Sequence, residues 1–294
     1  MRIHILVNPV AGSGKALKIF PPIEKLLGNY DISHSFTDRS GEDFREFIKN
    51  NRDIDYVICL GGDGTLNKAV SAIAHSNTVI IPLPAGTGSD FSRSIGYAKP
   101  EELPHLIEKR KYVECDLGLI KFDGRKNYFI NIMEAGFGAT VMQRVNSIKN
   151  RRKKSFVSSI LLKIVDLKSY NITVKSYEYN KNLDVSEMII ANGRYFGGGM
   201  LASKDSILND NMLDIHIIHK ISRLKLVRKL NTLKNGTYIN DSNVDNFKTD
   251  SLMIKGEIPY EIDGENFTAS DLEITIDHKA IKIIDFDNKP STFI

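Results

Sequence analysis

Val57-Ile58-Cys59-Leu60-Gly61-Gly62-Asp63-Gly64-Thr65-Leu66-Asn67, continued by Lys68-Ala69-Val70, is the stretch from which the fold is read. Four apolar residues without alternation predict a strand buried on both faces, and the glycines after them let the backbone turn sharply and approach a ligand closely. Asn67 to Ile73 fits the first turns of a helix. Gly62, Gly64 and Thr65 would then offer backbone amides near a helix N-terminus, where a phosphate group is favoured. Asp63 complicates this picture. A carboxylate beside a phosphate cradle is repulsive unless a metal ion or an incoming hydroxyl separates the two, which is what phosphoryl transfer requires. Taken alone, the segment also reads as a tight strand-to-helix turn capped by Asp63 and Thr65.

Two more loops of this kind follow from the sequence. Residues 3–7 predict a buried strand, and Asn8-Pro9-Val10-Ala11-Gly12-Ser13-Gly14-Lys15 leads from it into a helix through about Leu27. This is not a P-loop, because Pro9 stands where the first glycine of GxxxxGK[ST] belongs and Ala16 replaces the metal-binding hydroxyl residue. Nor is it a dinucleotide fingerprint, since Leu17 occupies the third glycine position. Residues 32–36 read as a short strand ending at Thr37, and Glu42 to Asn50 as a helix. Thr78 to Pro82 predicts another buried strand, running into Leu83-Pro84-Ala85-Gly86-Thr87-Gly88-Ser89-Asp90-Phe91-Ser92-Arg93. In an open α/β sheet, ligands bind outside the carboxyl ends of the strands, so three such loops are expected to meet at one crevice.

After a helix at Glu101 to Lys109 the pattern changes. Tyr112 to Leu117, Tyr128 to Ala135, Ile172 to Tyr179, Asp184 to Ala191, Leu213 to His219, Ser251 to Lys255, Tyr260 to Asp263 and Leu272 to Ile276 are short and rich in β-branched and aromatic residues. They predict an antiparallel domain, interrupted by helical stretches at about 138–168 and 221–234. Ile281 to Asp287 reads as a strand that returns to the first domain. The expected division is therefore residues 1–118 with the tail 281–294, and residues 119–280.

At 294 residues, with 41% hydrophobic and 26% charged residues, the chain has room for two folded domains. Its N-terminal residues lack the pattern of a secretory leader. The most apolar long stretch, Phe156 to Leu167, is interrupted by Ser158, Ser159, Lys163 and Asp166, so contact with a membrane would be peripheral. Cys59 and Cys115 imply no disulfide framework or CxxC metal pair, which fits a reducing cytoplasm. The net charge is +4, unevenly placed. Lys149, Arg151, Arg152, Lys153 and Lys154 form one basic cluster, and Lys220, Arg223, Lys225, Arg228, Lys229 and Lys234 form another at helical spacing with Ile221, Leu224, Val227, Leu230 and Leu233. Each reads as a solvated face or as attraction to anionic lipid; no motif points to nucleic acid.

With the three loops in place, the chain resembles the bacterial diacylglycerol kinase-like lipid kinases, relatives of sphingosine and ceramide kinases and more distantly of NAD kinases. The resemblance is carried by Asn8-Pro9 with Gly12 and Gly14, Gly61 to Thr65, Pro84 to Gly88, Phe196-Gly197-Gly198-Gly199-Met200 and Asp263-Gly264-Glu265, and it spans nearly the whole chain. It implies a Rossmann-like, NAD-kinase-like α/β nucleotide-binding domain and an all-β, sandwich-like second domain. The active site would lie in the cleft between them. There the γ-phosphate of ATP would pass, with Mg2+, to a lipid hydroxyl, converting diacylglycerol to phosphatidic acid or acting on a related lipid of phospholipid metabolism.

The same resemblance implies nucleotide contacts at Asn8, Pro9, Gly12, Ser13, Gly14, Thr37, Gly61, Gly62, Asp63, Gly64, Thr65, Asn67, Lys68, Gly86 and Thr87, with Asp63 facing the Mg-ATP phosphates. Similar enzymes use a carboxylate of the DGE motif as base. The motif lands on Asp263 and Glu265, and the choice between them stays open. The chemical demand is plain: a lipid hydroxyl is a poor nucleophile, so a carboxylate must position it and accept its proton. A structural magnesium would sit on Asp210 and the main-chain oxygens of Ile207 and Met212. Without the resemblance, Asp263-Gly264-Glu265 reads as a hairpin turn and Asp210 as a turn residue.

Four positions depart from the family pattern: Ser89 in place of Asn, Lys68 in place of an acidic residue, Lys204 in place of Pro, and Asn211 in place of Gly. The acceptor's apolar part would enter between the domains past Phe137, Met142, Phe156, Ile160, Leu161 and Ile164, and the cluster at 149–154 would hold that mouth on an anionic membrane. A homodimer is compatible with the sequence but not read from it. Two other readings remain at this point: an NAD-kinase-like phosphotransferase with a soluble substrate, and a catalytically silent nucleotide- or lipid-binding regulator.

Overall fold

A computed structural model of the chain describes residues 1–37, 42–85, 89–147, 164–263, 265–286 and 292–293, without the side chains of 144–147, 230 and 265. The first half is a parallel sheet in the order β4-β3-β1-β2, built from β1 (Arg2–Val7), β2 (Asp31–Phe36), β3 (Tyr56–Gly61) and β4 (Val79–Pro84). Strands β1, β3 and β4 are buried along almost their whole length, as unbroken apolar runs require when helices cover both faces. The outer strand, β2, carries Asp31, Ser33, His34 and Ser35 and is largely exposed, which protects a sheet edge against further pairing. Helices α1 (Lys15–Leu26), α2 (Glu42–Asn50), α3 (Asp63–Ile73), α4 (Asp90–Ile95) and α5 (Leu103–Lys109) follow the strands.

The second half is antiparallel. Its strands are β5 (Tyr112–Phe122), β6 (Arg125–Phe129), β7 (Ile132–Gly136), β8 (Tyr170–Lys175), β9 (Asn180–Ala191), β10 (Tyr195–Phe196), β11 (Met200–Leu201), β12 (Leu213–His219), β13 (Val244–Thr249), β14 (Ser251–Ile262) and β15 (Glu265–Ile284). A core that includes Phe129, Met188, Ile215, Ile254, Tyr260 and Ile274 fills the space between its layers. Helices α6 (Phe137–Ser147) and α7 (Arg223–Lys234) flank it. The expected fold class, an α/β half followed by a β-rich half, is the one observed.

Strand β15 joins the halves. It pairs antiparallel with β14 and β5, bulges between Asp277 and Ile281, and then sets Lys282 and Ile283 parallel to Val79 and Ile80 of β4. Among the described residues, thirteen strands thus share one hydrogen-bonded sheet.

Three of the differences from the sequence expectation have identifiable reasons. Helix α3 starts at Asp63, with extended Gly62 as its N-cap, so Asp63-Gly64-Thr65 is the first helical turn and not a loop. An acidic first-turn residue is favourable there. The strand predicted over 128–135 breaks at Ile130-Asn131 into β6 and β7, because the amides on either side of that break turn to Asp263. The segments 251–255 and 260–263 are one strand, β14, bulged near Gly256; a Cβ at that glycine would lie 2.9 Å from the Asn171 carbonyl oxygen.

Candidate active site

The loops after β1, β3 and β4 meet at the carboxyl edge of the parallel sheet. Gly12 has φ +58° and rests on the end of β4, where any Cβ would collide with the Ala85 carbonyl oxygen. The Ala85 amide donates to the Gly61 carbonyl at 3.1 Å. Asn8 binds the second loop twice, through its amide to the Leu60 carbonyl at 2.9 Å and its side-chain Nδ2 to Thr65 Oγ1 at 2.7 Å. Thr65 packs on Gly61, whose own Cβ would come within 2.5 Å of it. The Thr37 amide donates to the Val7 carbonyl at 2.8 Å, which brings that strand end to the same edge. Asn8, Gly12, Thr37 and the Gly61 to Thr65 turn therefore lie along this one edge of the sheet, and Pro9, Ser13 and Gly14 belong to the same loop after β1. Gly86 and Thr87 lie outside the described residues.

Asp63 ties the third loop to the second. Its two carboxylate oxygens accept the amides of Asp90 and Phe91, at the start of α4, at 2.9 and 3.0 Å. Burial pushes its pKa up to about 6, with the neighbouring Asp90 charge adding and the amide donors opposing. The carboxylate read from sequence as facing the phosphates is thus engaged with the first turn of α4. Asp90 continues the chain of contacts into the second half: its Oδ2 accepts the Gly198 amide at 2.7 Å. Gly197, Gly198 and Gly199 all have positive φ, which explains why this loop is a glycine run.

Asp263 adjoins the α3 turn from the second half. A Cβ on Gly64 would lie 3.6 Å from the Asp263 carbonyl oxygen, so the α3 turn and the DGE turn are neighbours. Asp263 has φ +44°, and its carboxylate accepts the amides of Ile130 at 3.0 Å and Ile132 at 3.3 Å. Burial raises its pKa well above the ordinary carboxylate value, and Asp63 and Glu261 push the same way against the two amides. Glu265 opens β15, but its side chain is outside the described part. Asn67, on the second turn of α3, donates to the Tyr128 carbonyl at 3.0 Å, and Lys68 beside it is half-buried.

Acidic residues that sequence reasoning missed extend this row. Glu261 is the cross-strand partner of Glu134, and Glu187 follows on the next strand, opposite Gly136. Burial drives the pKa of Glu134 and of Glu187 far above the usual range, and neighbouring carboxyl groups add to this. A glutamate inside the apolar run Ile132-Met133-Glu134-Ala135 was the available signal. Asp116 was missed as well. Fully buried, it accepts the Asn211 and Lys279 amides at 2.7 and 2.8 Å and pairs with His278 at 2.8 Å, fastening β5 to β15 and to the loop before β12.

The donor set expected for a structural magnesium is arranged otherwise. Asp210 Oδ2 meets the Lys248 ammonium at 2.9 Å, and Asp210 Oδ1 accepts the Met212 amide at 3.1 Å. Lys248 also approaches Asp214 at 3.4 Å. Partial burial works against the ammonium, but Asp210 and Asp214 outweigh it and raise the lysine pKa. As the side chains stand, this set does not fit a divalent ion; an internal cation already serves the carboxylate. Among the described residues no cluster of three His, Cys, Asp or Glu side chains offers a metal site.

An apolar cavity of about 550 Å³, counting its open mouth, lies inside the second half and not between the halves. Phe137 and Val141 of α6, Leu226 and Leu233 of α7, and Leu167 line it, with Glu134 and Glu187 on the sheet side. Of the residues expected to line an acceptor pocket, Phe137 does so and Ile164 packs beside it, while Met142 is not part of the lining. Phe156, Ile160, Leu161 and the basic cluster at 149–154 fall outside the described residues. No helix among the described residues is long and apolar enough to cross a membrane.

Comparison with known proteins agrees with this arrangement. Residues 2–120 match the diacylglycerol kinase catalytic domain, and residues 131–285 match the YegS C-terminal NAD kinase beta sandwich-like domain. A diacylglycerol kinase of Mycobacterium tuberculosis is 25% identical over 254 residues, covering 81% of this chain and 80% of that protein. A Staphylococcus carnosus protein whose name includes lipid kinase is 24% identical, with 96% of each chain covered. Among solved structures, one from Bacillus anthracis superimposes with a TM-score of 0.77 at 21% identity, covering 97% of this chain and 95% of the other. A second, titled a diacylglycerol kinase, gives 0.71 at 18% identity with 97% of each covered. The sandwich family covers more than half of the chain, the catalytic-domain family covers most of the remainder, and both agree with the two folded halves: the chain belongs to the bacterial diacylglycerol kinase-like family of lipid kinases.

Proposed function

We propose that this protein transfers the γ-phosphate of ATP to a lipid hydroxyl held between the α3 turn and the DGE turn, with diacylglycerol as the acceptor and phosphatidic acid as the product. The contact of Gly64 with Asp263, at the place where three glycine-bearing loops meet, carries the reading. Residues 1–118 with the tail would bind nucleotide, and residues 119–280 would hold the acceptor. The phosphates would rest on amides of Gly12 to Gly14 and Gly62 to Thr65, with Asn8, Thr37, Asn67, Lys68, Gly86 and Thr87 around the nucleotide. Mg2+ would arrive with ATP and neutralise charge on its phosphates.

Of the two DGE carboxylates, Asp263 is engaged by two backbone amides, so its role is to shape the turn. Glu265, two residues on, is assigned the base that positions the hydroxyl and takes its proton. Contact with an anionic membrane surface would deliver the acceptor, whose hydrocarbon part suits the cavity beside α6 and α7.

The test is incubation with γ-labelled ATP, Mg2+, NAD and a mixed lipid extract. Label in an organic-phase product, lost in Glu265→Gln, supports the proposal, and mass identification of that product names the lipid. Label found only in a dinucleotide favours the NAD-kinase-like reading, and nucleotide binding without turnover favours a silent regulator.

A further inference from the structure

Helix α7 presents two different faces. Leu226 and Leu233 turn inward and line the apolar cavity. At about 100° per residue, Arg223, Leu224, Val227, Arg228, Asn231 and Lys234 share the opposite side, and all six are exposed. Leu224 is 60% and Val227 42% exposed, with the three cations around them. The Arg223 guanidinium donates to the carbonyl of Val165, which is itself 63% exposed, so a further apolar side chain joins the patch. Residues 220–234 include no acidic residue, and Lys225 and Lys229 pair with Asp241.

We propose that this outer face of α7, with Val165, docks the protein on the surface of an anionic lipid bilayer. An exposed leucine is ordinary by itself, and so is a basic run. Together, an apolar centre within a ring of cations matches the boundary between anionic headgroups and acyl chains. A polyanion without an apolar layer would engage the cations but leave Leu224, Val227 and Val165 in water. Position supports the same partner, since the helix that carries the patch also walls the cavity assigned to the acceptor's hydrocarbon. That last argument rests on the lipid kinase reading; the binding test does not.

The test is co-sedimentation of the full chain, without nucleotide, with vesicles of phosphatidylcholine alone or of three parts phosphatidylcholine to one part phosphatidylglycerol. Wild type is expected to bind the anionic vesicles and not the neutral ones. The triple variant Arg223→Gln, Arg228→Gln, Lys234→Gln is expected to bind about a hundredfold more weakly, from the attraction of three near-surface cations. Leu224→Asn with Val227→Asn is expected to weaken binding about tenfold, and both variants should keep the wild-type melting temperature because the altered side chains are exposed. In neutral detergent micelles both should phosphorylate lipid at the wild-type rate. Equal binding to both vesicle types, no binding to either, or unaltered binding by the variants overturns the proposal. So does a concentration-dependent dimer that the variants dissolve, or retention on DNA without retention on vesicles. If wild type docks through this face yet labels no lipid, the kinase reading fails while the docking face stands.

Discussion

Glu134→Gln should stabilise the protein at neutral pH and leave it nearly unaltered in acid. Glu134 is enclosed beside Glu187 and Glu261, and burial raises its pKa well above the ordinary 4.5. The unfolded chain releases this proton near pH 4.5, and the folded chain releases it only at higher pH. Folding therefore takes up a proton above that pH, and the wild type loses stability as pH rises from the unfolded value toward the folded one. Each pH unit by which the folded group's titration lies above the unfolded value costs about 1.4 kcal/mol at a pH above both. Glutamine keeps the shape and stays neutral at either pH. Urea denaturation at pH 4.5 and pH 7 gives the two differences directly. An advantage for the variant is expected at pH 7, built up at no more than about 1.4 kcal/mol per pH unit above pH 4.5 and nearly vanishing at pH 4.5. An equal difference at both pH values, or a less stable variant at pH 7, refutes the reasoning.

Gly12→Ala should raise the dissociation constant for ATP more than tenfold by titration calorimetry, since a Cβ there strikes the Ala85 carbonyl and the positive φ alone costs about 1–2 kcal/mol. Glu265→Gln should abolish lipid labelling while leaving the melting temperature within a degree or so of wild type. Asp263→Asn should lower the melting temperature measurably, because an amide in place of the carboxyl puts an NH2 against the Ile130 or Ile132 amide. Lys248→Met should lower stability by about 1–2 kcal/mol in denaturant unfolding by stripping the cation from Asp210 and Asp214. Mg2+ without nucleotide should not raise the melting temperature of the wild type; a clear rise would show that Asp210 accepts the ion after all.

The loops were legible because glycine is required where backbones cross closely, and Gly12 on Ala85 or Gly61 under Thr65 could be nothing else. The start of α3 was not, since glycine in Asp63-Gly64-Thr65 reads as loop until Gly62 is seen to cap the helix. Asp63 and Asp263 were singled out from their motifs, but their hydrogen-bond partners were invisible in the sequence. Which amides lack a mate at the β6–β7 break, or at the first turn of α4, is decided by segments 28 and 133 residues away. Asp116, Glu134 and Glu187 were hidden for the same reason: each is buried in strands whose neighbours come from remote parts of the chain. A basic run at 220–234 was visible, while its division into a cavity wall and an exposed face required α7 to be seen packed.

The central claim is that the loops after β1 and β3 together seat one nucleotide triphosphate facing the DGE turn, and a crystal structure with Mg2+ and a non-hydrolysable ATP analogue tests it most directly. The account predicts phosphate oxygens within hydrogen-bond distance of amides from both Gly12 to Gly14 and Gly62 to Thr65, with the terminal phosphate nearest Glu265. A triphosphate bound away from either loop, or pointing away from β15, would contradict it.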